Sequence, residues 1–430
     1  MRERQKSARL SALFCLSLVE SIVKFFAKRG EAALCNEMGS IVQTGARGWL
    51  RMLTGITVVD FSRHLSGLIC AMRLAELGAE VIEIESHAPE DSISQAADKE
   101  GTKGGKGGFF LRSRRKHKSI SLNLRTAEGK ALAFALARQA DVVVESYRPG
   151  VLRHLGLDYD RLWEVHPAVV YCSLTGYGQS GEWYQAGGED LNIQAVSGFL
   201  SMLRDAEGRP IVAELPIAEY AAGLYASEQI CAALVQRFRT GRGAYLDVAQ
   251  ADLLSSWTGL HVLLNQAKPG EGTPPKGLLS YQVYETADGQ FVALAAREEK
   301  YWHNFCRAVG RDDWETLHEA AVFEHPDVYE ELKALFLTRT QAEWSELGAE
   351  ADCCLTAVEE ADRWAENAYA RSREVADSLP LLEFREGEAA LANRRWPSWH
   401  ADHTREVLMK RLKLTAEDVR SLKERGVIPE

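Results

Sequence analysis

The stretch that decides the fold runs from residue 56 to residue 85 and reads ITVVDFSRHLSGLICAMRLAELGAEVIEIE. Residues 56–61 are an apolar, β-branched run of strand length, residues 80–85 (EVIEIE) are strand-like, and residues 70–77 between them have helical periodicity. Two strands joined by one helix through short connections form a right-handed βαβ unit, in which the strands are parallel. The stretch therefore predicts an α/β fold built on a parallel sheet.

The same alternation of strands and helices continues downstream. Further strands are predicted at residues 119–124, 141–145, 168–174 and 244–248. Helices are predicted from Thr126 as N-cap to residue 139, at 159–165, from Glu189 or Asp190 onward, and at 219–238. The pattern predicts a large, Rossmann-like domain.

A second, smaller domain is predicted after the Pro- and Gly-rich linker at residues 268–275. Asp288 and Gly289 form a hairpin turn between strands at 281–285 and 290–295. Helices follow at 300–309, 327–336 and 340–347, and the tail carries helices at 404–412 and 415–424, the second opened by a capping box at Thr415. We expect a large domain at 55–265 completed by 385–430, and an α+β domain at 275–375.

Residues 1–54 precede the first predicted strand and form an extension of uncertain status. Four basic side chains within residues 1–9 precede an apolar run at 10–19, which Glu20 and Lys24 interrupt. The run is too short to span a membrane, which takes ~20 apolar residues. An appended helix or overlong start and a mitochondrial targeting segment both stay open.

Composition excludes several classes of protein. With 46% apolar residues the chain is globular, and 61 acidic against 51 basic side chains give a net charge of −10, which argues against nucleic acid as a partner. The eight cysteines have no zinc-ligand spacing, so we predict no metal site and a reducing, cytoplasmic compartment. The adjacent Cys353 and Cys354 could form a redox pair, or be two packed thiols at a strand edge.

The turns of the predicted sheet offer two candidate anion sites. The first βα turn lacks GxGxxG, and Walker A, HExxH and GxSxG motifs are absent, which disfavours dinucleotide, NTPase, zinc peptidase and serine hydrolase chemistry. Residues 112–118 carry five fixed positive charges, suited to the phosphates of a nucleotide or simply a solvated turn. Residues 147–150 (YRPG) follow a strand where α/β folds bind ligands, and could equally be a plain turn.

Carboxylates stand at two further junctions. Glu189 and Asp190 lie where a glycine-rich loop enters a helix, and either could be an N-cap. Glu219 lies at the start of the longest helix, followed by small residues that allow close approach of a neighbour, although a glutamate in a first turn usually just complements the helix dipole.

As a set, these segments make the chain resemble the family III CoA-transferases, which include formyl-CoA transferase, carnitine CoA-transferase and the α-methylacyl-CoA racemases. The matching pieces are 58–62 (VVDFS), 74–82 (LAELGAEVI), 118–123 (KSISLN), 140–145 (ADVVVE), 147–150 (YRPG), 155–157 (LGL), 174–179 (LTGYGQ), 190–191 (DL), 194–198 (QAVSG), 240–243 (TGRG), 247–248 (DV), 284–289, 302–310 and 403–408 (HTREVL). They occur in the family's order over ~375 residues.

The resemblance implies a homodimer of two interlocked rings, with a Rossmann-like large domain and a small domain in each chain. It implies an acyl-CoA and a carboxylic acid as partners, coenzyme A thioester as substrate, and no tightly bound cofactor. The residues placed near CoA by position are His64, Leu65, Lys118, Leu122, Ser146, Tyr147, Arg153 and His154.

The resemblance also implies a catalytic role for carboxylates. In the transferases an aspartate nucleophile forms an anhydride and then an enzyme thioester with CoA. This chain has Glu219 at that position, and Asp190 and Glu189 would orient groups or exclude water. Glu189 stands where the racemases have a histidine, which disfavours racemisation, and residues 268–277 lack the shielding glycine run of formyl-CoA transferase.

We therefore predict a CoA-transferase that moves CoA between an acyl-CoA and a carboxylic acid. Two alternatives stay open: a non-catalytic CoA-binding subunit of a heteromer with a paralogue, and an acyl-CoA isomerase or racemase-type enzyme that uses the glutamate pair.

Overall fold

The structure is a computed structural model, and it describes residues 52–86, 117–205, 207–267, 277–372, 401 and 403–429. Most of the N-terminal extension, residues 112–116 of the basic cluster, and the linker at 268–275 lie outside the described residues. The predictions made for those segments stay predictions.

Six parallel strands form the main sheet. They are β1 (Thr57–Asp60), β2 (Glu80–Ser86), β3 (His117–Leu122), β4 (Val142–Glu145), β5 (Val170–Thr175) and β6 (Ala244–Ala249). Their order in the sheet is β3-β2-β1-β4-β5-β6, and all neighbouring pairs are parallel. The predicted α/β fold with a parallel sheet is confirmed.

Helices cover both faces of this sheet. The helices in sequence order up to β6 are α1 (Leu65–Glu76), α2 (Ala127–Ala137), α3 (Val151–Leu155), α4 (Tyr159–Val165), α5 (Asp190–Val196) and α6 (Ile217–Thr240). The Thr126 side chain accepts the backbone N–H of Gly129, which is the cap that the sequence predicts. The predicted helix over 159–165 has those bounds in the structure.

The two faces of the sheet have separate apolar cores because side chains alternate along each strand. Val58 and Val81 pack with α1 and α6 on one face, and Val59 and Ile82 pack on the other. The tail helices α12 (Thr404–Leu412) and α13 (Ala416–Glu424) belong to that second core. The capping box at Thr415 is confirmed.

One glycine sets the spacing of α1 and α6. A Cβ atom at Gly223 would lie 2.6 Å from the carbonyl oxygen of Ser66 and 2.7 Å from the Cβ of Ile69. The small residues after Glu219 thus allow α6 to approach α1 closely, as the sequence suggested, and this contact fixes where the first turn of α6 lies.

Among the described residues, a second compact unit contains 195–205, 207–211, 254–267 and 277–372, and the first contains 52–86, 117–194, 212–253, 401 and 403–429. Residues 195–211 and 254–265, which the sequence analysis assigned to the large domain, therefore group with the second unit. The remaining helices are α7 (Gln250–Ala267), α8 (Glu299–Val309), α9 (Pro326–Phe336), α10 (Gln341–Ala351) and α11 (Ala368–Ser372), with short 3-10 helices at Phe199–Met202, Asp312–Leu317 and Trp364–Glu366.

An antiparallel sheet forms the centre of the second unit. Its strands are β7 (Tyr281–Glu285), β8 (Phe291–Ala295) and β9 (Leu355–Ala357), in that order. The β7–β8 hairpin is the one that the Asp-Gly turn predicts. Cys353 and Cys354 directly precede β9 as free thiols, and Cys353 is buried, which favours packed thiols over a redox pair.

Among the helices of the described residues, none has the length and apolarity needed to cross a membrane.

Candidate active site

A cavity of about 450 Å³ lies within the first unit at the carboxyl edge of the main sheet. The strand order reverses between β1 and β4, and open α/β sheets bind ligands outside such a switch point. The turns after β1, β4 and β5 and the first turns of α6 and α7 line the cavity, with side chains that include His64, Tyr147, Arg148, Glu189, Glu219 and Gln250.

Glu219 lies in the first turn of α6 and is half-buried in this cavity. Its carboxylate accepts the backbone N–H groups of Leu65 and Ser66, which are the first two residues of α1. These N–H groups have no partner within their own helix, and the helix dipole favours an anion there. Glu219 therefore caps α1 although it belongs to α6.

Asp190 holds the backbone of Glu219. Its Oδ1 accepts the Glu219 backbone N–H at 2.9 Å, and its Oδ2 accepts Nε2 of Gln194 at 2.5 Å. The Glu189 backbone N–H donates to Oδ1 of Asn192 at 3.0 Å, so that turn is fixed as well. Asp190 thus caps α6 rather than its own helix.

Burial and the two neighbouring carboxylates raise the energy of a negative charge on Glu219. Burial raises the pKa of Glu219 most, the charges of Asp190 and Glu189 raise it further, and the two N–H groups of α1 partly oppose them; the result is about 7. Glu219 therefore changes charge in the neutral range, as titratable groups at functional sites often do.

The turn after β4 is tied to the turn after β1. Oε2 of the buried Glu145 accepts the Tyr147 backbone N–H at 2.8 Å, and Oγ of Ser146 accepts the Arg63 N–H at 2.9 Å. The Arg63 guanidinium lies 5.0 Å from the centroid of the Tyr147 ring. Burial raises the pKa of Glu145 to about 7. These contacts hold Ser146 and Tyr147 in the wall of the cavity.

Sequence reasoning missed several lining residues. Ser66 lies within the stretch 56–85 but was not singled out there, and Asn192 and Gln250 were not considered. The signal for Gln250 was its place directly after β6, at the sheet edge that carries the site. Arg148 lies over Gly187, where an added Cβ would come within 3.0 Å of its Nη2 atom.

Comparison with known proteins identifies the family. The model of CoA-transferase family III matches residues 53–420. The chain belongs to this family. The family resemblance seen in the sequence is thereby confirmed.

Relatives within the family carry out more than one reaction. The chain is 33% identical over 274 residues to succinate–glutarate CoA-transferase of Agrobacterium fabrum, covering 60% of this chain and 66% of that protein, just under two thirds of its length. It is 30% identical over 312 residues to human α-methylacyl-CoA racemase, covering 71% and 77%. Among solved structures it is similar to a CaiB/BaiF family protein from Brucella suis, with a TM-score of 0.63, 26% identity, and 75% and 88% of the two chains covered.

About half of the residues that the resemblance to family III places near CoA lie at the cavity. His64, Ser146 and Tyr147 line the cavity, and Leu65 contributes its N–H to Glu219. Their role toward CoA stays a prediction.

The other four predicted CoA contacts lie outside the cavity lining. Nζ of Lys118 pairs with Glu80 at 3.0 Å and with Glu406 at 2.9 Å. The side chain of Leu122 is buried in the apolar core. Arg153 pairs with Asp160 at 2.7 Å, and Nδ1 of His154 is 2.7 Å from the carbonyl oxygen of Gly150.

The described residues contain no group of three or more His, Cys, Asp and Glu side chains that could hold a metal ion.

Proposed function

We propose that this protein is a CoA-transferase that moves CoA between an acyl-CoA thioester and a carboxylic acid, with Glu219 as the nucleophile. The observation that carries the proposal is the half-buried Glu219 carboxylate in the cavity, held by the two N–H groups at the start of α1. Membership of family III and the reaction named for the Agrobacterium relative support it.

The reaction starts when a carboxylate oxygen of Glu219 attacks the carbonyl carbon of the thioester. The C–S bond breaks, CoA thiolate leaves, and a mixed anhydride remains on Glu219. The thiolate then attacks the glutamyl carbonyl carbon, which releases the first acid and leaves a glutamyl-CoA thioester. The acceptor acid takes over CoA by the reverse steps, so no proton, electron or metal is consumed.

The N–H groups of Leu65 and Ser66 are placed to stabilise the charged intermediates. Each attack on the glutamyl carbonyl puts negative charge on a glutamyl oxygen, and these groups already bind the resting carboxylate. Donors fixed before the reaction need no reorganisation, and one such donor contributes ~2.7–4 kcal/mol in other enzymes. The start of α1 therefore acts as an oxyanion site for Glu219.

The flanking carboxylates have supporting roles. Asp190 fixes the backbone of Glu219 through the 2.9 Å hydrogen bond. Together with burial, which has the largest effect, the charges of Asp190 and Glu189 raise the pKa of Glu219 to about 7. Glu189 lines the cavity beside it, where it would orient groups or exclude water. Arg148 supplies a fixed positive charge to the same cavity, which suits entry of an acceptor carboxylate.

We expect the rate of adduct formation on Glu219 to rise with pH through about 7. Below that pH Glu219 is protonated and a poor nucleophile, because its pKa is raised to about 7 by burial and by the neighbouring carboxylates. Single-turnover rates measured with one acyl-CoA between pH 5 and pH 9 test this. A rate that stays flat across that range would contradict the role of Glu219.

Trapping of the covalent intermediate tests the proposed function directly. The protein is incubated with a panel of acyl-CoAs, treated with hydroxylamine or borohydride, and digested for mass mapping. We expect the hydroxamate or reduced product on the peptide that contains Glu219. CoA binding without an adduct, and without transfer to any carboxylic acid, would instead support the non-catalytic CoA-binding subunit.

The racemase relative keeps an isomerase or racemase-type reaction as a second candidate. Exchange of the acyl α-proton with solvent deuterium, in the absence of an acceptor acid, would distinguish it, because CoA transfer leaves that C–H bond intact.

The interlocked homodimer is also part of the proposal. Large apolar side chains on the outside of α6, including Val235 and Phe238, are 59% and 72% exposed in the single chain. Exposed apolar surface of this kind marks contact surfaces, and a second copy would cover it. A heteromer with a paralogue stays an alternative, which sedimentation of the purified chain alone distinguishes.

A further inference from the structure

Ser66 is a buried serine beside the nucleophile. It is the second residue of α1, its residue exposure is 0%, and its backbone N–H binds the Glu219 carboxylate. It also lines the cavity. Its side-chain hydroxyl is therefore a buried polar group next to the nucleophile that the proposed function has not used.

Gln250 determines how this hydroxyl is hydrogen-bonded. Gln250 is the first residue of α7, is 8% exposed and lines the same cavity. Its Nε2 atom donates to Oγ of Ser66 at 3.4 Å. A serine hydroxyl has one proton to donate and two lone pairs. Because Gln250 occupies a lone pair, the proton of Ser66 stays available.

No acceptor for that proton lies among the described residues, since the Oγ atom of Ser66 receives a hydrogen bond there but donates none. Buried hydroxyl groups normally satisfy their donor, so an open donor at the wall of a cavity calls for a partner from a ligand. The Glu219 carboxylate receives the backbone N–H groups of Leu65 and Ser66, and no hydrogen bond between it and the Ser66 hydroxyl is formed among the described residues. A thioester bound in the cavity would bring its carbonyl oxygen to this place as an acceptor.

We propose that Ser66 is a further catalytic residue that donates a hydrogen bond to the acyl carbonyl oxygen of the thioester, and that Gln250 is the residue that positions it. The inference rests on the proposed function. When Glu219 attacks the acyl carbon, the carbonyl π electrons move to the oxygen, which becomes an oxyanion bound by the Ser66 hydroxyl. Collapse re-forms the C=O bond and expels CoA thiolate, and the serine keeps its proton throughout.

The site then has two sets of hydrogen-bond donors, one for the oxyanion of each of the two carbonyl groups that react. The backbone N–H groups of Leu65 and Ser66 serve the glutamyl oxygen, and the hydroxyl of Ser66 serves the acyl oxygen. One residue contributes to both, which explains why its neighbour Gln250 carries a polar side chain at a buried position.

The test compares Ser66→Ala, Gln250→Glu and the double variant with the wild type in single-turnover formation of the Glu219 adduct. We expect Ser66→Ala to slow it by roughly 10- to 100-fold, because a hydrogen bond to a charged group contributes ~1.5–3 kcal/mol. The dissociation constant of the acyl-CoA should not change. A structural role would instead move binding and folding together with rate.

Gln250→Glu reverses the hydrogen bond without removing the serine. An ionised carboxylate only accepts, so it takes the Ser66 proton and turns it away from the cavity. We expect Gln250→Glu to be as slow as Ser66→Ala, and the double variant to be no slower than either. Losses that add in the double variant would overturn the coupling of Gln250 to Ser66.

Ser227→Ala is the matched control. Ser227 is a buried serine on α6 whose hydroxyl donates to the carbonyl oxygen of Leu224 at 2.7 Å, outside the cavity lining. Ser227→Ala should react at the wild-type rate. If the wild type forms the adduct and Ser66→Ala forms it at the same rate, this inference alone is overturned. If the wild type forms no adduct, the proposed function is overturned and the inference with it.

Discussion

Replacing Glu219 by glutamine is expected to abolish adduct formation and to lower CoA transfer by about 10⁴-fold or more, since removal of a nucleophile eliminates the covalent route. The amide keeps the size of the side chain and donates where the carboxylate accepts. The two N–H groups of α1 that bind Glu219 would then face an NH₂ group or the single remaining oxygen. The fold should be retained, because the packing of α6 on α1 depends on Gly223 and its neighbours.

The measurement is the rate of CoA transfer from an acyl-CoA to a carboxylic acid, together with mass mapping of the trapped protein. Glu228→Gln is the control, because it makes the same change at an exposed glutamate of α6 that lies outside the cavity lining. Glu228→Gln should show wild-type rates. Transfer that survives in Glu219→Gln would show that another group carries the acyl chemistry and would remove Glu219 from the mechanism.

The architecture of the first unit was predictable because its signals are local. The strand Val142–Glu145, near the middle of the sheet, is an apolar run closed by a glutamate, and all four of its residues are buried. Thr126 and Thr415 cap their helices with side-chain oxygens that a sequence already displays. Short elements were harder to predict from the sequence. Helix α3 has only five residues and lies between Gly150 and Gly156, both at positive φ, so its sequence resembles that of a loop.

The identity of the site residues was predictable in part, and their contacts were not. Glu219, Asp190 and Glu189 were selected, but the cap that Asp190 makes on Glu219 joins residues 29 apart in different helices. The N–H groups of Leu65 and Ser66 have no sequence signal at all, because every helix starts with such groups. Only the packing of α6 on α1 gives them a partner.

Lys118 has ion-pair partners that its charge and its place in the sequence did not predict. A lysine in a basic cluster suggested phosphate binding, yet its Nζ atom pairs with Glu80 on the neighbouring strand and with Glu406 in the tail. Glu406 is 288 residues away in the chain, so no local pattern connects the two. Lys118 therefore has a role in joining the tail helix α12 to the sheet, whatever its role toward CoA.

Shortening the side chain at position 219 is expected to have the second large effect on the rate of adduct formation. We expect Glu219→Asp to form the adduct about 10²-fold more slowly than the wild type, because a displacement of roughly 1 Å costs about that factor. Aspartate is one methylene shorter, so its carboxylate would withdraw from the N–H groups of Leu65 and Ser66 that bind the longer side chain.

The backbone cannot advance to compensate for the shorter side chain. Asp190 holds the N–H of residue 219 at 2.9 Å, and Gly223 one turn later leaves no space between α6 and the Ser66 carbonyl. Glutamate is therefore the length that this spacing of α1 and α6 requires. Adduct formation is measured by single turnover, with Glu228→Asp as the control for the same change on the exposed side of α6. If Glu219→Asp reacted as fast as the wild type or faster, the position of the fixed backbone would not determine which side-chain length is needed. Glutamate at this position would then be a less active replacement for aspartate.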